Sequence, residues 1–373
     1  MLQRVTEWLK TRIHGRDFEA FQIEVTSRCA LRCAMCPRAA LAERWPEKDL
    51  PWPVFERIAA AFPRVAHVHL QGWGEPLLHP RIFDMVGVAK TAGCRVGFTT
   101  NGMYLTPEVG RRLLDLELDL LAVSIAGATR ATHERIRLGS SFQGILDNVR
   151  AFLALRAERG GPRPKVEFMY LMLKANIQEL PDAVDLAASL GVEELVATNL
   201  EYVVTPVHEE LKIFEEPARR EAYGRLLEEA AARARRAKVG LRAYPLDLKE
   251  VAVCEAKPHR ILYVSHDGWI SPCNYVTLPG QLEFARYFGG RPVLLSALRF
   301  GNVLEQDLDT IWNTADYRAF RQRFTQRRLA TISGVVSGMQ EVGGDGGAGT
   351  DGARSLQPPA PEPCQTCYKL YGL

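Results

Sequence analysis

The chain has 373 residues, 47 Lys and Arg against 44 Asp and Glu, a formal net charge of +3 and 47% hydrophobic residues. This length suggests one large α/β domain plus a smaller one, and so small a net charge does not imply a nucleic-acid partner. No apolar run reaches the roughly 18 residues of a membrane span, so a cytoplasmic protein with no membrane partner is expected. Eight cysteines in that reducing compartment point to metal ligation more than to disulfides.

The opening MLQRVTEWLKTRIHGRDF reads as an amphipathic, charged helix over residues 1–19, without a signal-peptide core. The strand-like run FQIEV follows, and directly after it VTSRCALRCAMCPRAA sets Cys29, Cys33 and Cys36 at Cys-x3-Cys-x2-Cys. A cubane iron-sulfur cluster normally takes a thiolate on every iron, so three close cysteines imply a cluster with one iron open to chemistry. Close cysteine pairs also bind zinc, and that alternative stays open at this point. Five further apolar or β-branched runs recur downstream: AHVHLQG, RVGFTT, LLAVSI, KVEFMYLML and ELVATNL. Between them lie helix patterns such as PWPVFERIAAAF, PRIFDMVGVAKTAG, TPEVGRRLLDLE, SFQGILDNVRAFLALRAERG and LPDAVDLAASLG, several opening on Pro or Ser and closing on Gly. Strand alternating with helix predicts a curved parallel α/β sheet, with too few units for a closed eight-stranded barrel. His67 and His69 share one face of the second strand and read as packed polar groups rather than as a metal pair.

The cysteine stretch C-A-L-R-C-A-M-C resembles the cluster loop of the radical S-adenosylmethionine (radical SAM) enzymes. In that family the amino and carboxylate groups of SAM occupy the fourth iron, and reduction yields a 5'-deoxyadenosyl radical. Met35 stands where the family usually has an aromatic, which puts one SAM adenine contact in doubt. The resemblance implies a partial (β/α)6 TIM-like barrel with its site at the C-terminal ends of the strands. It extends to Gly72-Trp73-Gly74-Glu75-Pro76, similar to the family's G-G-E-P element, where main chain around Gly74 and Glu75 takes the SAM ammonium. Thr99-Thr100-Asn101-Gly102 is similar to its T-N-G element. Ser124-Ile125-Ala126-Gly127 resembles Ser-Ile-Asp-Gly, so Ser124 matches the hydroxyl that holds the SAM carboxylate or ribose, while Ala126 removes an acidic group. In THERIRLGSS, Arg137 is the carboxylate-binding candidate, because a guanidinium grips a carboxylate with two bonds, and Arg135 competes with it.

The second cysteine set is Cys254, Cys273, Cys364 and Cys367. CEAKPHRILYVSHDGWISPCNY reads as a hairpin with a cysteine at each end, and FGNVLEQDLDTIWNTADYRAFRQRF has helical spacing. Both resemble the auxiliary-cluster domains called SPASM and twitch, and the closing Cys364-Gln365-Thr366-Cys367 completes four thiolates for a 4Fe-4S cluster with no open iron. The chain ends six residues past Cys367, so the one-cluster twitch form is expected; a structural zinc site is the alternative. Cys94 is left over and is expected to pack as a small buried residue. Residues 333–363, rich in Gly, Ala and Pro, read as a disordered insertion, leaving the cluster rather than packing to pin the C-terminus.

The fold expected is therefore α/β, a partial (β/α)6 barrel over 20–243 followed by a small α+β auxiliary iron-sulfur domain over 244–373. The resemblance implies SAM and two 4Fe-4S clusters as cofactors and a low-potential electron donor such as ferredoxin or flavodoxin. Hydrogen abstraction from an unidentified substrate is the expected activity, with the auxiliary cluster in electron transfer. Relatives act on peptides, sulfatase-type proteins, sugars and pterin precursors, and GWGEP, SIAG and FGNV are also similar to maturases associated with tungsten- or molybdenum-pterin enzymes. Only about 20 residues precede the first strand, which weakens a fused peptide-recognition domain but leaves a peptide or protein substrate open. The rival reading is a non-enzymatic iron-sulfur electron carrier or redox sensor, which accounts for the cysteines but not for GWGEP and Ser124 at strand ends.

Overall fold

A computed structural model of the chain describes residues 16–341 and 357–373. Most of the N-terminal helix expected over residues 1–19 lies outside the described residues, and Phe18 and Glu19 already belong to the first strand. That strand, β1 (Phe18–Ile23), is followed by β2 (Val65–His69), β3 (Arg95–Thr100), β4 (Leu120–Ile125), β5 (Lys165–Met172), β6 (Glu194–Asn199) and β7 (Gly240–Ala243). Each pairs in parallel with the next, with helices Trp52–Ala59, Ile82–Thr91, Pro107–Asp115, Phe142–Glu158 and Leu180–Leu190 among the connections. The starts of two helices are fixed by Thr106 and Ser141, whose hydroxyls accept from the amides of Val109 and Gly144. Gly191, in the left-handed region at φ 79°, closes a third. Buried residues of the strands, Phe21, Val68, Phe98, Val123, Phe168 and Leu195, join Phe55, Met85, Ile145 and Val184 of the helices in one core.

The six expected strands are all present, and β7 is an addition. β7 carries no apolar alternation and is mostly exposed, whereas the helix Arg220–Ala237 before it has Tyr223, Leu226, Leu227, Ala230 and Ala234 at helical spacing and packs that stripe on the core. Main-chain pairing to β6, from Glu194↔Gly240 to Ala197↔Ala243, holds the strand in place.

The cysteine-flanked hairpin is also present, as β8 (Ile261–Val264) and β9 (Trp269–Ser271). Its docking is not legible in the sequence, because β8 pairs in parallel with the outer side of β1. Beyond it, β10 (Glu283–Phe288) and β11 (Arg291–Ser296) form a separate antiparallel ribbon. Gly289 and Gly290 turn that ribbon at φ 57° and 75°, the two positive values a tight hairpin needs. Finally β12 (Gly301–Asn302) pairs with β9. The main sheet thus reads β12-β9-β8-β1-β2-β3-β4-β5-β6-β7, open at both ends and continuous from core to C-terminal region.

Residues 333–363 differ from the disordered insertion expected there. The helix Ala315–Glu341 runs through their first part, residues 342–356 lie outside the described residues, and 357–363 are folded against the protein. The reason is Arg327, 1% exposed, which donates to the carbonyls of Ala252, Val251 and Pro358 and to Glu250. Packing also holds the C-terminus: Tyr368, Leu370 and Leu373 are buried, and Lys249 and Val251 donate main-chain bonds to Tyr371 and Leu370. No helix among the described residues is long and apolar enough to cross a membrane.

Candidate active site

The residues singled out in the sequence collect at the C-terminal ends of the parallel strands, where loops from several strands meet. Cys29, Cys33 and Cys36 lie on the loop after β1. Arg38, nearly buried, braces this loop by donating to the carbonyls of Leu31 (2.7 Å) and Cys29 and pairing with Glu47 at 2.8 Å. The loop also pairs with the segment after β4, since Arg32 and Ala34 donate their amides to Leu138 and Ile136, both at 2.9 Å.

That pairing places the two arginines differently. It places Arg137 beneath the loop, with Nη1 4.0 Å from the Cys33 sulfur and Nε buried without a partner. Arg135 points away, exposed, toward the Ala175 carbonyl. On the other side Asn101 reaches the Cys29 sulfur with Nδ2 at 3.9 Å, while its Oδ1 accepts from Met103. Ser124 sits half-buried near the end of β4, in register with Met169 of β5.

The GWGEP loop is locked between these parts. A Cβ on Gly74 would lie 2.3 Å from the Thr26 carbonyl oxygen and 2.6 Å from that of Arg28, and the Glu75 amide donates to Arg28 at 2.8 Å. Only glycine allows so close a main-chain approach. Glu75 does more than its main chain suggests. Its carboxylate, 2% exposed, accepts from the Thr100 hydroxyl and the Asn101 amide, both at 2.7 Å, and so fixes Asn101 to the loop. Burial pushes its pKa up, against the hydrogen bonds from Asn101, Thr100 and Leu77. Gly72 is small for a second reason: a Cβ there would meet the Glu24 side chain at 2.3 Å.

Glu24 and His266 are absent from the sequence reading. Glu24, fully buried at the end of β1, accepts from the Trp73 amide at 3.1 Å and from His266 Nδ1 at 2.9 Å, tying the GWGEP loop to the β8–β9 turn. A carboxylate directly after the strand and before the cysteine loop was the available signal. His133 is a second omission. It is buried, accepts from the Ala126 amide through Nδ1 at 3.2 Å, and is pushed down to about 3 by burial and the nearby Arg137 charge.

Both cysteine sets fit iron-sulfur ligation. Burial and the neighbouring Cys33 raise the Cys36 thiol to about 11. Burial followed by the other thiols raises Cys254 to about 12 and also pushes Cys273 and Cys364 well up. Buried thiols stay protonated until a cation compensates the charge of their thiolates; Cys254, Cys273, Cys364 and Cys367 come from the segment before β8, the loop after β9 and the C-terminal turn. Among the described residues no three His, Cys, Asp or Glu side chains converge closely enough for one metal ion. A lone zinc, with sulfurs about 2.3 Å from it, requires such convergence, whereas a four-iron cluster spreads its thiolates over separate irons. His67 and His69 stack with ring centroids 6.4 Å apart, and burial pushes His69 down to about 4. Cys94 packs as expected, buried, with its sulfur 3.3 Å from the carbonyls of Phe62 and Val65.

The family model described as the radical SAM superfamily matches residues 23–187, and that described as an iron-sulfur cluster-binding domain, SPASM, matches 254–331. The chain is similar to the tungsten-containing aldehyde ferredoxin oxidoreductase cofactor-modifying protein of Pyrococcus furiosus, 29% identical over 305 residues covering 80% of this chain and 82% of that one. It is also similar to the PqqA peptide cyclase of a Methylobacterium species, 28% identical over 364 residues covering 90% and 85%. Its fold is similar to that of Streptococcus suis SuiB bound to S-adenosylmethionine, with a TM-score of 0.60 at 17% identity over 84% of this chain and 70% of SuiB. The fold of anSMEcpe with bound AdoMet gives 0.59 at 14% identity over 82% and 83%.

Proposed function

Because the chain belongs to the radical SAM superfamily and is an enzyme with a SPASM iron-sulfur domain, we propose the following division of labour among its residues. Cys29, Cys33 and Cys36 hold the SAM-binding 4Fe-4S cluster, and Cys254, Cys273, Cys364 and Cys367 hold an auxiliary one, within regions 20–243 and 244–373. When bound and reduced, the first cluster supplies a 5'-deoxyadenosyl radical from SAM for hydrogen abstraction. Arg137 holds the SAM carboxylate, and its buried Nε without a partner, with Nη1 beside Cys33, is the supporting observation. Asn101 orients the Cys29 side of the loop, and Ser124 meets the SAM carboxylate or ribose from β4. Main chain at Gly74 and Glu75 receives the SAM ammonium, with the Glu75 side chain acting as a brace rather than a ligand.

The substrate class proposed is a peptide or a cofactor precursor, as in the peptide cyclase and cofactor-modifying relatives. A low-potential ferredoxin or flavodoxin serves as reductant, and the auxiliary cluster takes part in electron transfer. The observation that carries the reading is the convergence of Cys29, Asn101, Glu75, Cys33 and Arg137, from four separate loops, on one end of the sheet. The test is anaerobic: reconstituted, reduced protein with SAM yields 5'-deoxyadenosine, and a Cys33→Ala variant yields none. A wild-type protein that binds iron but never cleaves SAM returns the carrier or sensor reading.

A further inference from the structure

Arg286 is 0% exposed and lies on β10 between Phe284, 5% exposed, and Phe288. Alternation along a strand puts all three on one face, so a guanidinium occupies a position where EFARYF calls for an apolar side chain. A buried charge is costly unless a counter-charge faces it. The other fully buried arginine, Arg327, has Glu250, and the buried Lys369 has Glu201 at 2.9 Å. Arg286 has no acid at ion-pair distance among the described residues. Its partners are neutral: Nη1 donates to the Tyr275 carbonyl at 3.3 Å, Nη2 to the Pro363 carbonyl and the Thr366 hydroxyl at 2.8 Å, and Nε has none.

Those neutral partners mark what it faces. Tyr275 lies two residues past Cys273, Pro363 immediately precedes Cys364, and Thr366 immediately precedes Cys367. The guanidinium therefore sits between two ligand segments nearly a hundred residues apart in the chain.

We propose that Arg286 is the counter-charge of the auxiliary iron-sulfur site, binding its two ligand segments together and raising its reduction potential. The inference rests on the assignment of Cys254, Cys273, Cys364 and Cys367 to that cluster. Four thiolates around an iron-sulfur core carry net negative charge, which grows by one on reduction. A fixed cation at short range favours the reduced form, because net charge, hydrogen bonding and exposure set such potentials. A raised potential suits a cluster that takes up an electron.

The test uses Arg286→Lys and Arg286→Met in full-length protein reconstituted anaerobically, with iron counted per chain. Reduction of the auxiliary cluster is followed by a potentiometric titration with electron paramagnetic resonance, in a Cys29→Ala, Cys33→Ala, Cys36→Ala background that leaves this cluster alone. Arg286→Lys retains the iron. Arg286→Met either retains it with the reduction equilibrium shifted at least tenfold toward the oxidised form, about 59 mV for one electron, or loses the auxiliary iron while the core cluster still cleaves SAM. Arg286→Met with full iron at the wild-type potential overturns the proposal, and so does equal iron loss in both variants. Absence of iron from the triple-cysteine background with Arg286 intact overturns the auxiliary-cluster assignment itself, separately from the role of Arg286.

Discussion

Replacing Gly74 by alanine tests whether the contact between the GWGEP loop and the cysteine loop carries the SAM site. The added Cβ falls 2.3 Å from the Thr26 carbonyl oxygen and 2.6 Å from that of Arg28, against the roughly 3.3 Å of a close carbon–oxygen contact. The loops must separate by about 1 Å. Both obstacles are main chain, so no side chain can turn aside. Overpacking of this kind costs about 1–3 kcal/mol, and loss of the Glu75–Arg28 main-chain bond adds about 0.5–1.5 kcal/mol. The combined cost is a large part of a typical folding stability, and it falls on the loop that carries Cys29. Thermal unfolding, iron content and 5'-deoxyadenosine yield are the readouts for Gly74→Ala beside Gly161→Ala, whose Cβ meets nothing within 4 Å. The expected result is a Gly161→Ala protein like the wild type and a Gly74→Ala protein with a lowered unfolding midpoint, depleted core iron and at least about tenfold less 5'-deoxyadenosine, since each 1.4 kcal/mol is worth tenfold. Wild-type iron, stability and SAM cleavage in Gly74→Ala would refute the close-approach argument.

Changing Cys29, Cys33 and Cys36 together to alanine should lower iron from about eight to about four per chain and abolish SAM cleavage, whereas Cys254→Ala with Cys273→Ala should keep 5'-deoxyadenosine formation and stop oxidised product. Arg137→Ala should leave iron intact and weaken SAM about ten- to a hundred-fold through one lost charge-assisted contact, measured by equilibrium binding, while Arg135→Ala should bind normally. Acid should destabilise the fold before carboxylates titrate. The folded pKa values of His69, His133, His208 and His259 are depressed to about 4, 3, 4 and 4, so the unfolded chain binds more protons below pH 6.5 and stability falls as pH drops from there toward 4. A neutral His133→Gln variant should lose up to about 1.4 kcal/mol per pH unit of that slope, read as the change in unfolding free energy between pH 6.5 and 5. An unchanged slope would show that His133 is not held neutral.

Local spacing determined the parts of this protein that chemistry needs close together in the chain. Cys29, Cys33 and Cys36 lie on one short loop, and the runs from FQIEV to ELVATNL announce a parallel sheet, because strand and helix periods are written within a dozen residues. The Cys254–Cys273 hairpin is local too, and so is the Gly289-Gly290 turn, a signal present in the sequence that went unread. Tertiary structure alone decided the rest. Arg137, and not Arg135, lies beside the cysteine loop because the main chain of Ile136 and Leu138 pairs with Ala34 and Arg32, a contact across a hundred residues that leaves no mark on either segment. Glu24 meets His266, and Arg327 holds the 357–363 segment that composition alone consigned to disorder. A buried charge is chosen for what it faces, and that partner is set by how β8 docks on β1 and how the C-terminal turn returns to the sheet, not by the residues beside it in the chain.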